Sequence, residues 1–247
     1  MEQRPVCLTI GGSDSCGGAG IQADLRVFEA LNVHGCSAIT ALTAQNPNKI
    51  SHIQGSSIPQ FEAEIQAIFD YYPVQSIKVG MMFDAEHLYS LTKILKTYLP
   101  QVSVVVDPVL IASSGRHLFQ AENSRIIYQS LIEAATIWTP NLQEASFFLE
   151  QDIQDPVDAA SSLLLRYKTP VLLKGGHGED TILRDVFCDL DGSVEIFEHQ
   201  KLDINIDQTH GTGCRLASAI AAYLSPKHSL FSAVQQAQFW LQNNLRE

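Results

Sequence analysis

Between residues 209 and 215 the chain reads Thr209-His210-Gly211-Thr212-Gly213-Cys214-Arg215. Two glycines flank a hydroxyl residue, and an apolar period of Leu216, Ile220, Tyr223 and Leu224 follows at once. That period predicts a helix beginning at the glycines. Its first turn leaves backbone N–H groups unpaired and partly positive, which makes an anion site suited to phosphate. Glycine lets the backbone approach such an anion closely. Cys214 falls in the first turn, where the same field favours thiolate over thiol. The stretch is therefore an anion hole beside a reactive side chain, or a glycine turn before a core helix with an inert cysteine. His210 and Cys214 also have the side chains of a metal site or a cysteine hydrolase. No second ligand pair and no third orienting group accompany them.

Four other stretches carry polar residues of the same kind. Gly11-Gly12-Ser13-Asp14-Ser15-Cys16-Gly17-Gly18-Ala19-Gly20 can wrap a small ligand. It has no lysine for a P-loop and not the spacing of a dinucleotide fingerprint. Asp24 follows one turn into the next helix, where an acid can complement the dipole. Asp107-Pro108 closes a valine run and offers a carboxylate to a metal, to phosphate-bound Mg²⁺, or to a local cap. In Thr139-Pro140-Asn141-Leu142-Gln143-Glu144, Asn141 and Glu144 have the spacing of a capping box. Lys174-Gly175-Gly176-His177 leaves a cation where a nucleotide phosphate could lie, or a loop lysine. Phosphoryl transfer needs an anion hole, a carboxylate-held metal, a cation and a group near the acceptor hydroxyl. All four are present.

The elements that position them alternate. Val6–Ile10, Ser37–Leu42, Ser76–Val79, Val102–Val106 and the runs near 136–139 and 170–173 read as strands. Between them, Ile21, Leu25, Phe28 and Leu31 mark one helix. Phe61, Ile65, Ile68 and Phe69 mark another that begins near Pro59. Leu88, Leu91, Leu95 and Tyr98 mark a third, and further helices fall near 122–135 and 156–167. Alternation of this kind predicts βαβ units and a mainly parallel sheet with helices on both faces. In such sheets ligands bind beyond the carboxyl ends of the strands, where the polar residues fall. Leu183–Leu190 and Val194–Phe197 flank Asp191-Gly192 and read as a small antiparallel hairpin at the sheet edge. With no repeat or linker, residues 1–247 read as a single domain.

The chain has 247 residues, 45% hydrophobic and 17% charged, with a net charge of -11. That charge argues against nucleic-acid partners, which need basic surface. No run reaches the length of a membrane span, and residues 1–10 lack a signal peptide's apolar segment. The five cysteines have no metal spacing and read as free thiols of a cytoplasmic protein.

Taken together, the motifs resemble the hydroxymethylpyrimidine/phosphomethylpyrimidine kinases, the thiamin-biosynthesis branch of the ribokinase-like superfamily. The resemblance rests on Gly12-Ser13-Asp14, Gly17 through Asp24, Thr40 through Asn46, Lys78-Val79-Gly80-Met81, Asp107-Pro108-Val109, Thr139 through Glu144, Lys174 through His177 and Thr209 through Cys214. It implies a three-layer ribokinase-like α/β fold, ATP, Mg²⁺ and a homodimer. The implied reaction phosphorylates 4-amino-5-hydroxymethyl-2-methylpyrimidine, and then its monophosphate to the pyrophosphate. By the same resemblance Gln45 binds the aminopyrimidine edge, and Asp24, Gly12, Ala19, Met81 and Val109 line the substrate. Gly211, Thr212, Gly213 and Cys214 form the anion hole, with Cys214 as general base. Lys174, Asn141 and Thr209 bind the nucleotide, and Asp107 and Glu144 hold the metal. Ser113 stands where the family commonly has lysine, and Arg215 where a small hydroxyl residue is usual. The expectation is that Arg215 supplies the charge missing at 113. A pyridoxal or pyridoxine kinase and a non-catalytic pyrimidine-binding homologue are the alternatives.

Overall fold

β-branched residues fill the middle of the molecule. A computed structural model describes residues 4–46, 48–111, 118–119, 124–175, 182–200, 211–226 and 228–244. Its strands are β1 Val6–Asp14, β2 His34–Asn46, β3 Lys49–Gly55, β4 Val74–Val79, β5 Ser103–Val106, β6 Ile137–Trp138, β7 Val171–Leu173, β8 Ile182–Cys188 and β9 Val194–Gln200. The helices are α1 Gly20–Ala30, α2 Ile58–Tyr71, α3 Ala85–Tyr98, α4 Ser124–Glu133, α5 Leu142–Leu149, α6 Pro156–Tyr167, α7 Thr212–Leu224 and α8 Leu230–Asn244.

One sheet runs in the order β3-β2-β1-β4-β5-β6-β7-β8-β9. The strands from β2 to β7 pair in parallel. β3 joins one edge antiparallel, and the β8–β9 hairpin joins the other, as the Asp191-Gly192 turn predicts. Successive side chains point to opposite faces. On β5, Val104 and Val106 therefore pack with Phe61, Leu88, Leu91 and Leu163, while Val105 packs with Phe28, Leu216, Ile220 and Val234. The first group belongs to the layer of α2 to α6, the second to the layer of α1, α7 and α8. A strand buried on both faces must be apolar at every position, and β5 reads Ser-Val-Val-Val.

Several elements go beyond the sequence reading. β1 continues through Gly11 and Gly12 to Asp14, keeping its pairing to β2 across a register shift between the two glycines. β2 runs on to Asn46 because β3, which the sequence reading leaves unassigned, gives its far end a partner. The terminal helix α8 is likewise new. Helix starts follow local chemistry. Ser57 and Asp155 cap α2 and α6, each with proline in the first turn, where a missing N–H costs nothing.

β1 is the switch point: its chain crosses to β2 on one side, and a later crossover brings β4 to the other. The crevice of an open α/β sheet lies there, at the carboxyl ends.

Candidate active site

The carboxyl ends of the strands are laced together in a row. Gly80 N–H donates to Ile10 O, Asp107 N–H to Val79 O, Thr139 N–H to Val106 O and Lys174 N–H to Pro140 O, each at 2.8 Å. This ladder lines up the residues that follow β4, β5, β6 and β7. Lys174 Nζ reaches Asp107 Oδ1 at 2.7 Å, and Thr139 Oγ1 lies 3.4 Å from the same oxygen. A β-carbon added at Gly213 would lie 3.2 Å from Lys174 Nζ and 3.9 Å from Asp107 Oδ2. The first turn of α7 therefore faces that ion pair. Gly211 enters α7 with φ of 82°, a left-handed conformation that glycine adopts without strain. Its α-carbon is pressed against the Gly18 carbonyl, where any β-carbon would overlap the oxygen.

Cys214 is half-buried, and the Gly20 N–H at the start of α1 bonds its sulfur. The sequence reading expects a depressed thiol pKa here; the structure reverses it. Burial pushes the thiol up to about 11, Lys78 opposing and the Asp107 and Asp24 carboxylates adding to the rise. Loss of hydration outweighs the two helix N-termini, so the thiol is protonated at neutral pH.

Asn141 and Glu144 do form the capping box. Glu144 N–H donates to Asn141 Oδ1 and Asn141 N–H donates to Glu144 Oε2, each at 2.8 Å. Glu144 is buried, and its pKa is pushed up to about 7. Burial is the main cause, Lys174 opposes it, and the Asp107 carboxylate adds to it. So Glu144 shares one electrostatic site with Asp107 and Lys174 as well as capping α5. Beside it, Leu110, Ile111, Phe119, Asn141, Gln143 and Phe147 enclose a cavity of about 90 Å³.

Across the sheet, Asp14 organises the glycine-rich loop. Its carboxylate accepts from Cys16 N–H at 2.9 Å and from Ala19 N–H at 2.8 Å. Its pKa falls to about 2, because bonds from the Gln45 side chain, Ala19 and Cys16 outweigh burial. Ser15 Oγ donates to Gln45 O and accepts from Gln45 N–H, both at 2.9 Å. Gln45 is thereby joined to the loop through its backbone and its amide. The N–H of Ala19 is spent on Asp14, and its carbonyl on Ala23. Met81 packs its sulfur against Gly12, where a β-carbon would come within 2.8 Å of Sδ. Half-buried Val109 follows Pro108, its N–H donating to Asp107 O.

Asp24 departs from expectation. It is 0% exposed and so has no surface for a substrate. Lys78 Nζ pairs with its Oδ2 at 2.9 Å, Thr9 Oγ1 donates to Oδ2 at 2.6 Å, and Ser218 Oγ donates to Oδ1 at 2.7 Å. It is the hub of a buried network joining β1, β4 and α7. Nor does it serve the α1 dipole, since no acid lies in that helix's first turn. Asp14 and Asp185 are the buried carboxylates to which the sequence reading gives no role. Their signals are an acid in a glycine run and an acid on the inward side of a strand next to an outward-facing arginine, Arg184. Thr209, His210, His177 and Ser113 lie outside the described residues. Half-buried Arg215 donates its N–H to Gly211 O in the first full turn of α7.

A sequence model of the phosphomethylpyrimidine kinase family matches residues 14–247. A hydroxymethylpyrimidine/phosphomethylpyrimidine kinase of Rhizobium meliloti is 35% identical over 240 residues, 96% of this chain and 88% of that one. Two crystal structures share the fold. One is a phosphomethylpyrimidine kinase from Clostridium difficile, with a TM-score of 0.84 and 32% identity, covering 97% of this chain and 99% of that one. The other is an ADP complex of Bacillus subtilis pyridoxal kinase, also at TM-score 0.84, with 29% identity and coverage of 96% and 90%. The three-layer fold is therefore ribokinase-like and the protein is a kinase, which sets aside the non-catalytic alternative. On sequence and fold together, the chain belongs to the phosphomethylpyrimidine kinase family.

Proposed function

We propose that this protein phosphorylates 4-amino-5-hydroxymethyl-2-methylpyrimidine from ATP, and then the monophosphate to the pyrophosphate, for thiamin synthesis. The observation that carries the reading is the first turn of α7 lying opposite the Asp107–Lys174 pair. An anion hole facing a cation and a carboxylate suits a phosphoryl group passing between two oxygens. The ADP complex of the pyridoxal kinase with the same fold supports a nucleotide as phosphoryl donor, and the cation Lys174 is the residue assigned to it in this proposal. By the family resemblance Asn141 and Thr209 are assigned to the nucleotide as well.

In this reading Gln45 presents its carboxamide to the aminopyrimidine, with Asp14 holding the amide. Gly12, Ala19, Met81 and Val109 line the ring. The N–H groups of Gly211 to Cys214 hold the transferring oxygens. The high pKa of Cys214 changes its role from that of an ionised base. Its neutral thiol orients the acceptor hydroxyl, which suffices where the transition state is loose and positioning dominates.

Asp107 and Glu144 fit Mg²⁺. They are buried carboxylates near enough for one to raise the other. Among the described residues no three or more His, Cys, Asp or Glu side chains could hold a metal alone. Mg²⁺ is usually held by one or two carboxylates plus phosphate oxygens and water. When bound it would neutralise phosphate charge.

The single sheet supports reading residues 1–247 as one domain, and the five free cysteines support a reducing, cytoplasmic setting. No helix among the described residues is long and apolar enough to cross a membrane. A homodimer is proposed from the family resemblance, with sedimentation as its check.

Equal likeness of shape to a pyridoxal kinase keeps that activity as the second reading. Turnover of the two alcohols with ATP and Mg²⁺, measured side by side, decides between them. The pyrimidine should win, with mono- and diphosphate products. A pyridoxal preference above about tenfold would overturn the assignment.

A further inference from the structure

We infer that Asp185 and Gln238 position the Lys174 loop for nucleotide binding, through an acid on β8 that takes no part in the chemistry. Asp185 is 4% exposed and Gln238 on α8 is 2% exposed. The Gly175 N–H donates to Asp185 Oδ1 at 2.7 Å, and Gln238 Nε2 donates to Oδ2 at 2.7 Å. Among the described residues no cation pairs with this carboxylate. Buried acids are ordinarily paired with a charge; this one is held by two neutral donors. Docking α8 does not require it, because Ala233, Val234 and Ala237 already bury that helix's apolar face.

What the acid does hold is the backbone one residue beyond Lys174. On its other side Lys174 is fixed by its N–H bond to Pro140 O and by its bridge to Asn141. Gly175 is pressed against the carbonyl of Arg184, with no room for a β-carbon. The lysine backbone is thus clamped between the β6 loop and β8, and α8 locks the β8 side. A charged group displaced by an ångström loses much of its effect on a bound phosphate. The inference rests on the reading that Lys174 contacts ATP phosphates.

Steady-state kinetics of Asp185→Leu, Asp185→Asn, Gln238→Leu and Lys174→Met, with ATP and pyrimidine varied separately, tests it. Asp185→Leu orphans the Gly175 N–H and should raise KM for ATP about tenfold, leaving KM for the pyrimidine within about twofold. Asp185→Asn still offers an acceptor and should stay within about threefold of the parent for ATP. Gln238→Leu should move KM for ATP in the same direction by a smaller factor, and it carries the test if Asp185→Leu fails to fold. Lys174→Met sets the scale. If it raises KM for ATP while Asp185→Leu, or Gln238→Leu in its place, does not, the positioning role is overturned. Equal rises in both KM values overturn it too, as does a loss of thermal stability without any change in KM. If Lys174→Met itself leaves KM for ATP unchanged, the reading of Lys174 falls and this inference with it.

Discussion

Two opposing fields meet at Cys214. The first turn of α7 and the Gly20 N–H favour a thiolate, while loss of hydration favours the thiol and wins. A neutral thiol that orients a hydroxyl can be replaced by another small donor. Cys214→Ser should therefore keep kcat within about tenfold, and Cys214→Ala should lose more. A fall of about a thousandfold in the serine variant, with loss of a rate that in the parent rises with pH through the thiol's pKa, would restore the ionised base. The neighbouring Asp24–Lys78 pair shows where sequence alone misleads. An acid one turn into a helix looks available to a ligand. Its partners Lys78, 54 residues away, and Ser218, 194 residues away, appear only when the strands and α7 converge. Breaking a buried pair leaves one uncompensated charge, at about 3–5 kcal/mol, whereas removing both charges is far milder. Lys78→Met should thus lower the thermal midpoint sharply, and adding Asp24→Asn should recover most of it. If the double variant is no more stable than the single, the pair is not what holds β4 to α1.

At the scale of elements, legibility followed the apolar pattern. The valines of β5 and the Asp155-Pro156 start of α6 stand out because local propensity and burial agree there. β3 does not, since Lys-Ile-Ser-His-Ile-Gln-Gly is a half-exposed edge with polar residues between its isoleucines. α8 is hidden for another reason. It buries small residues and Gln238 while Phe239 is 71% exposed, so its large apolar residues do not mark the inward face. The end of β1 reads as a loop because Gly11-Gly12-Ser13 has low strand propensity, yet it keeps its ladder to β2. The carboxyl-end row was legible once the strands were placed. Asp14 was not, because an acid among glycines looks like a turn former. The contact between Gly211 and Gly18 couples the two glycine stretches. Gly211→Ala would strain a residue at φ of 82° and push the Asp14 loop away from α7. Turnover should fall about a hundredfold with only a small loss of stability, about 1–2 kcal/mol, by denaturant titration. Unchanged turnover would mean that the two loops act independently.

For the whole molecule, the perturbed groups set how stability varies with pH. Asp14 has its pKa lowered from 3.8 to about 2, so between those values the unfolded chain binds the proton first. Its contribution, about 2 kcal/mol, is complete above pH 4 and is lost as pH falls toward 2. Cys7 and Cys214 are both raised from 9.0 to about 11, chiefly by burial. Between those values the unfolded chain ionises first, so stability falls again as pH rises. Glu144 acts in the middle. Its pKa is raised from 4.5 to about 7, so the unfolded chain gives up the proton earlier and stability declines across that interval. Replacing Glu144 by glutamine removes the titration and keeps the shape, with the side-chain oxygen still able to accept from Asn141. Urea unfolding of the parent should show lower stability at pH 8 than at pH 5, and Glu144→Gln should flatten that difference. The direction is what matters: a carboxylate lowered by Lys174 rather than raised by burial would titrate below pH 4.5 and leave the parent's stability flat between pH 5 and pH 8. A parent that stays flat, or a Glu144→Gln variant that declines as the parent does, would show that Glu144 is not the group behind the pH dependence.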